Sequence, residues 1–326
     1  MRFSRLGILV LVIVTALLGA NCSLYNQVLA RKNLVDGSKA YKDRKFQEAE
    51  DLFRQAVSRD PSGSTNEGKI AQLFLARTLH SEYIGDRQNR AKAEQAIVEY
   101  KKALAVDPDD QASYKAIASL MENLQMNDEW LTWVTQRANN QGIKPEYRAE
   151  ALVSLAAKKN TCANDITDTE KTKKTVTENG KQVFQFVKPE NPEDLNTLRT
   201  CINDGKNLVD QALAQEGPAN VESVKNFNIQ AATDEDLRRR GDVLRTFESA
   251  RSYKASLLIQ EMRLAEMEGR TPDRDRLKKE ADAAKSSFLE LSNVTKDIQA
   301  ETDKRAAEKE AAATGSNANA NANTAK

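Results

Sequence analysis

Few residues in this chain could do chemistry. It has one histidine, His80, and three cysteines, Cys22, Cys162 and Cys201. A tetrahedral zinc site needs four donors close together, and His80 is far from every cysteine along the chain. There is no glycine-rich phosphate loop, no H-E-x-x-H, no G-x-S-x-G and no C-x-x-C. General acid–base work would fall to carboxylates scattered over polar helix faces, with no apolar pocket to shift them. The sequence thus offers no catalytic residue, no metal set and no cofactor motif. His80 reads as a surface or packing histidine.

The cysteines say more about compartment than about reaction. Arg2 and Arg5 precede an apolar run from Leu6 to Ala20, followed by Asn21 and Cys22. A charged start, an apolar core and small residues before a cut site make residues 1–22 an export signal. The 15-residue core is short for a membrane span, which needs roughly 20 residues. Cys22 sits where bacterial lipoproteins carry their acylated cysteine, although Gly19, Ala20 and Asn21 depart from the usual residues before it. Lipidation at Cys22, cleavage after Ala20 and an uncleaved anchor all remain open. Each places the rest of the chain outside the cytoplasm, on the periplasmic or extracytoplasmic side. In that oxidising compartment Cys162 and Cys201 are expected to pair, with two separate buried thiols as the alternative. A bond would close a loop of about 40 residues and contribute roughly 4 kcal/mol in the chain-entropy model.

Net charge excludes one class of partner. The formal charge is +1; loss of Arg2 and Arg5 with the signal makes it +1 − 2 = −1. Nucleic acid requires a net basic face that displaces counterions. The run Arg238-Arg239-Arg240 reads as a solvated helix face.

The positioning elements are helical. Gly37, Ala49, Phe53, Ala56 and Pro61 follow one another at offsets of 12, 4, 3 and 5, and Ala96, Tyr100, Ala103 and Pro108 repeat the last three. Small residues let paired helices touch, an aromatic fills the gap, and proline ends the unit. This pattern resembles the tetratricopeptide (TPR) repeat, whose period is about 34 residues. The resemblance implies an all-α, TPR-type helical-repeat solenoid across residues 23–144. Helices are expected at Tyr25–Lys42, Phe46–Arg59, Lys69–Tyr83 and Ala91–Val106. A divergent third repeat uses Tyr114, Ile117, Ala118 and Met121, then Glu129–Asn139, where Trp130 and Trp133 read as core.

Residues 145–218 read as a divergent repeat split by an insertion. Pro145 opens a helix through Lys159, and Asn191-Pro192 opens its partner, which carries Gly205, Val209 and Ala212. Between them, at about 173–187, Asn179-Gly180 predicts a β-hairpin, because both positions tolerate positive φ. The register sets Glu178 opposite Lys181 and Val176 opposite Val183. Phe184 and Phe186 share one face, expected to rest on the helices or else to form a docking patch. Residues 219–312 read as a long helical hairpin. Thr233 with Asp236 starts one helix and Thr271-Pro272-Asp273 the other. Leu277, Ala281, Ala284, Phe288, Leu291, Thr295 and Ile298 form a coiled-coil-like seam within or between chains. The tail, 313–326, has too little apolar content to fold.

In TPR arrays ligands lie along the face made by the first helices. Carried over by position, the resemblance points to Arg31, Leu34, Ser38, Tyr41 and Lys42, and to Ile70, Leu73, Arg77 and His80, as a partner-binding groove. That mixture suits an extended acidic or amphipathic segment. Leu34 and Ser38 do not match the lysine and asparagine of carboxylate-clamping TPR domains. By similarity to bacterial envelope TPR lipoproteins, the expected function is a membrane-tethered adaptor for a protein or peptide partner in an envelope assembly, secretion or pilus complex. The alternative is a structural spacer that self-associates, as a homo-oligomer, through its C-terminal coiled-coil-like helices.

Overall fold

The computed structural model describes the backbone of residues 5–323 and the side chains of residues 24–312. The side chains of the signal, Cys22 and the tail from 313 on lie outside the described residues. The chain divides into two compact units, Met1–Leu131 and Thr132–Lys326.

In the first unit, α1 (Arg5–Lys42), α2 (Phe46–Arg59), α3 (Asn66–Gly85), α4 (Arg90–Val106) and α5 (Gln111–Asn123) each pack on the next. α1 also touches α3. The expected small–aromatic–small positions form the contact. Ala49, Phe53 and Ala56 are fully buried, and Ala96, Tyr100 and Ala103 repeat that burial on α4. A Cβ on Gly37 would lie 2.8 Å from the Phe53 ring. The missing side chain at 37 is therefore what lets α1 lie against α2.

The repeat is visible in the side-chain bonds. Gln27 reaches Glu67 and Tyr41 reaches Ser81, each 40 residues further on. α1 and α3 thus run parallel and in register, the hallmark of a TPR-like helical repeat, with a period longer than the usual ~34 residues. Part of the extra length is the link before α3, which Asp60 organises. Its carboxylate accepts from the backbone N–H groups of Ser64 and Thr65 and from the hydroxyls of Ser62, Ser64 and Thr65. Burial pushes the Asp60 pKa up, but these donors outweigh it and hold the carboxyl well below the usual range.

The division between units falls within α6 (Asn127–Asn139). The second unit opens with α7 (Pro145–Thr167), which runs about two turns beyond the expected end at Lys159. Its extension carries Ala163 into a core with Leu198, Ile202, Leu264 and Met267. No helix breaker follows Lys159, so tertiary packing, not a local stop, sets the length.

The hairpin β1 (Lys173–Glu178) and β2 (Lys181–Phe186) has the expected register, Glu178↔Lys181 and Val176↔Val183. Asn179 and Gly180 both take positive φ, 50° and 75°. α8 (Pro192–Leu213) starts at the Asn191 cap, whose side chain accepts from the Glu193 N–H. α8 runs antiparallel to α7: Lys159 pairs with Asp204 and Arg148 with Gln215. Gly205 allows the Leu257 side chain close approach, since a Cβ there would meet it at 2.7 Å.

The short α9 (Val221–Lys225) leads to α10 (Asp234–Met267) and α11 (Thr271–Asn323). The helical backbone of α11 continues past the expected end near Ala312. Thr233 caps α10 by accepting from the Asp236 N–H at 3.1 Å. The predicted seam of α11 is covered within the chain, by α10: Leu277, Ala281, Leu291, Thr295 and Ile298 are buried, Ala284 and Phe288 half-buried. That placement sets the seam between two helices of one chain. Arg251, 8% exposed, locks the unit by donating to both oxygens of Glu216 and to the Ser287 carbonyl.

Candidate functional site

The face shared by α1 and α3 brings part of the predicted groove together. Tyr41, near the end of α1, packs edge-on against Phe46 of α2 at 5.5 Å and Phe74 of α3 at 5.9 Å. Its hydroxyl lies 3.0 Å from that of Ser81. The Arg77 guanidinium stands over the Phe74 ring at 5.6 Å. One helical turn on, the His80 ring meets Tyr100 edge-to-face, with Nδ1 3.3 Å from the Tyr100 hydroxyl. Tyr41, Phe74, Arg77, His80 and Ser81 are all half-buried. They form an aromatic floor with one cation, which can hold an apolar or aromatic side chain and an acidic neighbour on an extended segment.

The other predicted groove residues divide. Leu73 is half-buried and Ile70 is 44% exposed. Ser38 spends its hydroxyl on the Leu34 carbonyl. Leu34 is 9% exposed, a core residue rather than a groove contact, because it lies with Ala30 and Gly37 on the inner side of α1. Arg31 and Lys42 are fully on the surface. Phe74 was missing from the sequence reading although it links Tyr41, Phe53 and Arg77. It lies 33 residues from Tyr41 and 21 from Phe53, too far for a local signal; only the packing of α3 on α1 and α2 joins them.

His80 behaves as a packing histidine. Burial depresses its pKa, and the nearby Arg87 charge adds to this. An ionic cluster that spacing could not reveal joins three helices. Lys92 of α4 bonds Glu50 of α2 and, at 2.6 Å, Glu82 of α3; Arg54 also holds Glu50, at 2.8 Å. Burial raises the Glu50 carboxyl, but Lys92 and Arg54 bring it below its ordinary value. Glu82 is raised, by burial and by the Glu50 charge beside it. Every member has a partner within the cluster, so it fastens the repeats together.

In the second unit, Cys162 and Cys201 are joined as a disulfide between α7 and α8. The bond lies in the core that receives Phe186. The two hairpin phenylalanines separate: Phe186 is 8% exposed and Phe184 60%. Arg263 stands over the Phe186 ring at 4.6 Å, and Glu266 accepts from the Phe186 N–H. α10 thus covers only the base of the hairpin, leaving Phe184 beneath Lys173 at its outer part. Trp130 is buried, as a core role requires.

Between α10 and α11 runs an open groove of about 540 Å³ with Ile259 and Met262 on its floor and Arg274, Lys278, Asp282 and Lys285 on its rim. Among the described residues no group of three or more His, Cys, Asp or Glu could hold a metal ion. Among the described residues, too, no helix is long and apolar enough to cross a membrane.

No protein-family model and no curated protein matches this chain. Among solved structures it is similar to a tetratricopeptide repeat protein from Parabacteroides merdae ATCC 43184, over 82% of this chain and 98% of that one, at 10% identity and a TM-score of 0.31. So distant a likeness carries no argument; the repeat is read from the register of α1 on α3 and the buried positions of α2 and α4.

Proposed function

We propose that this chain is a membrane-tethered adaptor that holds a segment of a protein partner on the α1–α3 face. The observation that carries the reading is the half-open aromatic floor of Tyr41 and Phe74 with Arg77 above it. Such a surface offers apolar area at low entropic cost and one charge to fix orientation. The proposed partner segment is extended, with an apolar or aromatic anchor and a neighbouring acid. No catalytic role is assigned.

The tether is the N-terminus, by lipid at Cys22 or by the apolar run itself, on the extracytoplasmic side of a bacterial envelope. A charged start, the run Leu6–Ala20 and Cys22 support that placement, and a Cys162–Cys201 bond suits an oxidising compartment. By analogy with envelope TPR lipoproteins, the setting is an assembly, secretion or pilus machine.

Crosslinking the full chain in its native envelope, followed by identification of attached proteins, tests the adaptor. Arg77→Glu reverses the charge over Phe74 without opening the core. We expect it to lower capture of the dominant partner at least ~10-fold, the scale of a hot-spot contact. Equal capture by Arg77→Glu and by the natural protein, with unchanged circular dichroism, would remove the α1–α3 face from the mechanism.

A further inference from the structure

The outer side of α1 from Leu24 to Lys42 has no partner among the described residues, and its composition is specific. Positions 24, 28, 31, 35, 39 and 42 advance by fours and threes, which keeps them along one line of a helix. They carry Leu24, Val28, Arg31, Val35, Lys39 and Lys42. Leu24, Val28 and Val35 are 63%, 65% and 60% exposed, with Tyr25, also 63%, beside them. Ala30, Leu34, Gly37 and Ala40 supply the opposite, buried side. Among the described residues nothing in the first unit covers the outer line.

The charges beside these apolar groups are one-sided. Arg31, Lys32, Lys39 and Lys42 are all exposed, against a single acid, Asp36, on the same stretch. Among the described residues none of the four cations is in an ion pair. An exposed apolar line with an aromatic and unpaired cations is the composition of a helix that lies in a membrane interface, apolar groups among acyl chains and cations among anionic headgroups.

We propose that this face of α1 docks on an anionic lipid surface, so that the first repeat helix is itself a membrane-contacting element. Two observations favour lipid over protein. Four cations to one acid would repel the same face of a second copy. And the outer line begins two residues after Cys22, where a lipid on that cysteine would bring this stretch of α1 to the bilayer surface. For that proximity the inference rests on the membrane tether proposed above; the chemistry of the face does not. Arg31 and Lys42, assigned to the groove by position, thereby become headgroup contacts.

The test uses the full chain mixed with vesicles of phosphatidylglycerol and phosphatidylethanolamine bearing bromine near the headgroups, and with neutral phosphatidylcholine vesicles. Val28→Trp adds a tryptophan to the docking line. Val98→Trp adds one on α4, at a site 51% exposed, as the control. Flotation reads the tether and bromine quenching reads the face. We expect the added Val28→Trp signal to be quenched at least ~2-fold more than that of Val98→Trp on anionic vesicles, with the difference falling at higher salt. It should vanish when Arg31, Lys32, Lys39 and Lys42 are all changed to glutamate. Flotation with Val28→Trp quenched no more than the control overturns the inference and leaves the tether standing. Flotation on anionic but not neutral vesicles, with Val28→Trp quenched, upholds the face and removes the tether. Crosslinking of Val28→Cys to another protein or another copy, without quenching, also overturns it.

Discussion

Gly37→Ala offers the sharpest check on how the first repeat closes. Gly37 lies inside α1, and an added Cβ would stand 2.8, 2.9 and 3.1 Å from three carbons of the Phe53 ring. Ordinary contact begins near 3.4 Å, so the shortest approach is 3.4 − 2.8 = 0.6 Å too close. The ring cannot retreat freely: Phe53 has no exposed surface, and Phe74 lies 5.5 Å behind it. Overpacking of this kind costs ~1–3 kcal/mol, while alanine gains ~1 kcal/mol over glycine in a helix interior. The expected net is a destabilisation of about 1 kcal/mol. Gly85→Ala is the reference, because nothing lies within 4 Å of its Cβ position; it should be neutral or stabilising. Urea unfolding by circular dichroism gives both values, and hydrogen exchange of α1 and α2 amides localises the loss to the first unit. In a double-mutant cycle, Phe53→Leu should relieve the clash, making the pair less damaging than the sum of its members. If Gly37→Ala stabilises as much as Gly85→Ala, Phe53 does not occupy the space against α1, and the packing reading of the repeat falls with it.

Two further perturbations probe the units separately. Lys92→Met removes the cation that Glu50 and Glu82 share, at an expected loss of about 3 kcal/mol near pH 7. In the natural protein Glu50 is lowered and Glu82 raised, so their contributions oppose: that of Glu50 fades as pH falls, and the cost of ionising Glu82 fades with it. Without Lys92, Glu82 loses the group that lowers it and is pushed further up, while Arg54 still holds Glu50. The folded state then binds a proton at Glu82 more tightly than the unfolded one, and stability recovers as pH falls through the raised Glu82 value toward about 4.3. A deficit in urea titrations that stays constant from about pH 7 to pH 4 would refute the cluster. In the second unit, reduction or Cys162→Ser with Cys201→Ser frees a separation of 39 residues and should cost about 4 kcal/mol. The oxidised chain should also run faster than the reduced one on a denaturing gel; identical mobility would rule the bond out.

What could be read from the sequence is what neighbouring residues decide among themselves. Asn179-Gly180 fixes a two-residue turn by its own φ preferences, and the register of the whole hairpin follows. Thr233 with Asp236, and Asn191 before Pro192, start helices through bonds spanning two or three residues. Ala49, Phe53 and Ala56 mark a buried face because helical spacing repeats within one element. The seam from Leu277 to Ile298 was legible for the same reason, but not what covers it. That it faces α10 rather than another chain, that α7 runs on to Thr167, and that Phe186 is buried while Phe184 is not are decisions of tertiary packing.

The candidate site was legible only in part, and for a related reason. Position within the repeat nominated Tyr41, Arg77 and His80, which the fold sets on one face, and also Leu34, which packs inward. Which side of α1 faces the core depends on where α2 and α3 lie, and a rotation of some tens of degrees moves a residue between groove and interior. Phe74 and the Glu50–Lys92–Glu82 cluster join groups from two or three helices, so no spacing along the chain could announce them. Sequence sets periods, caps and turns because those free energies are local; the fold decides partners, because contacts between helices exist only once the helices have packed.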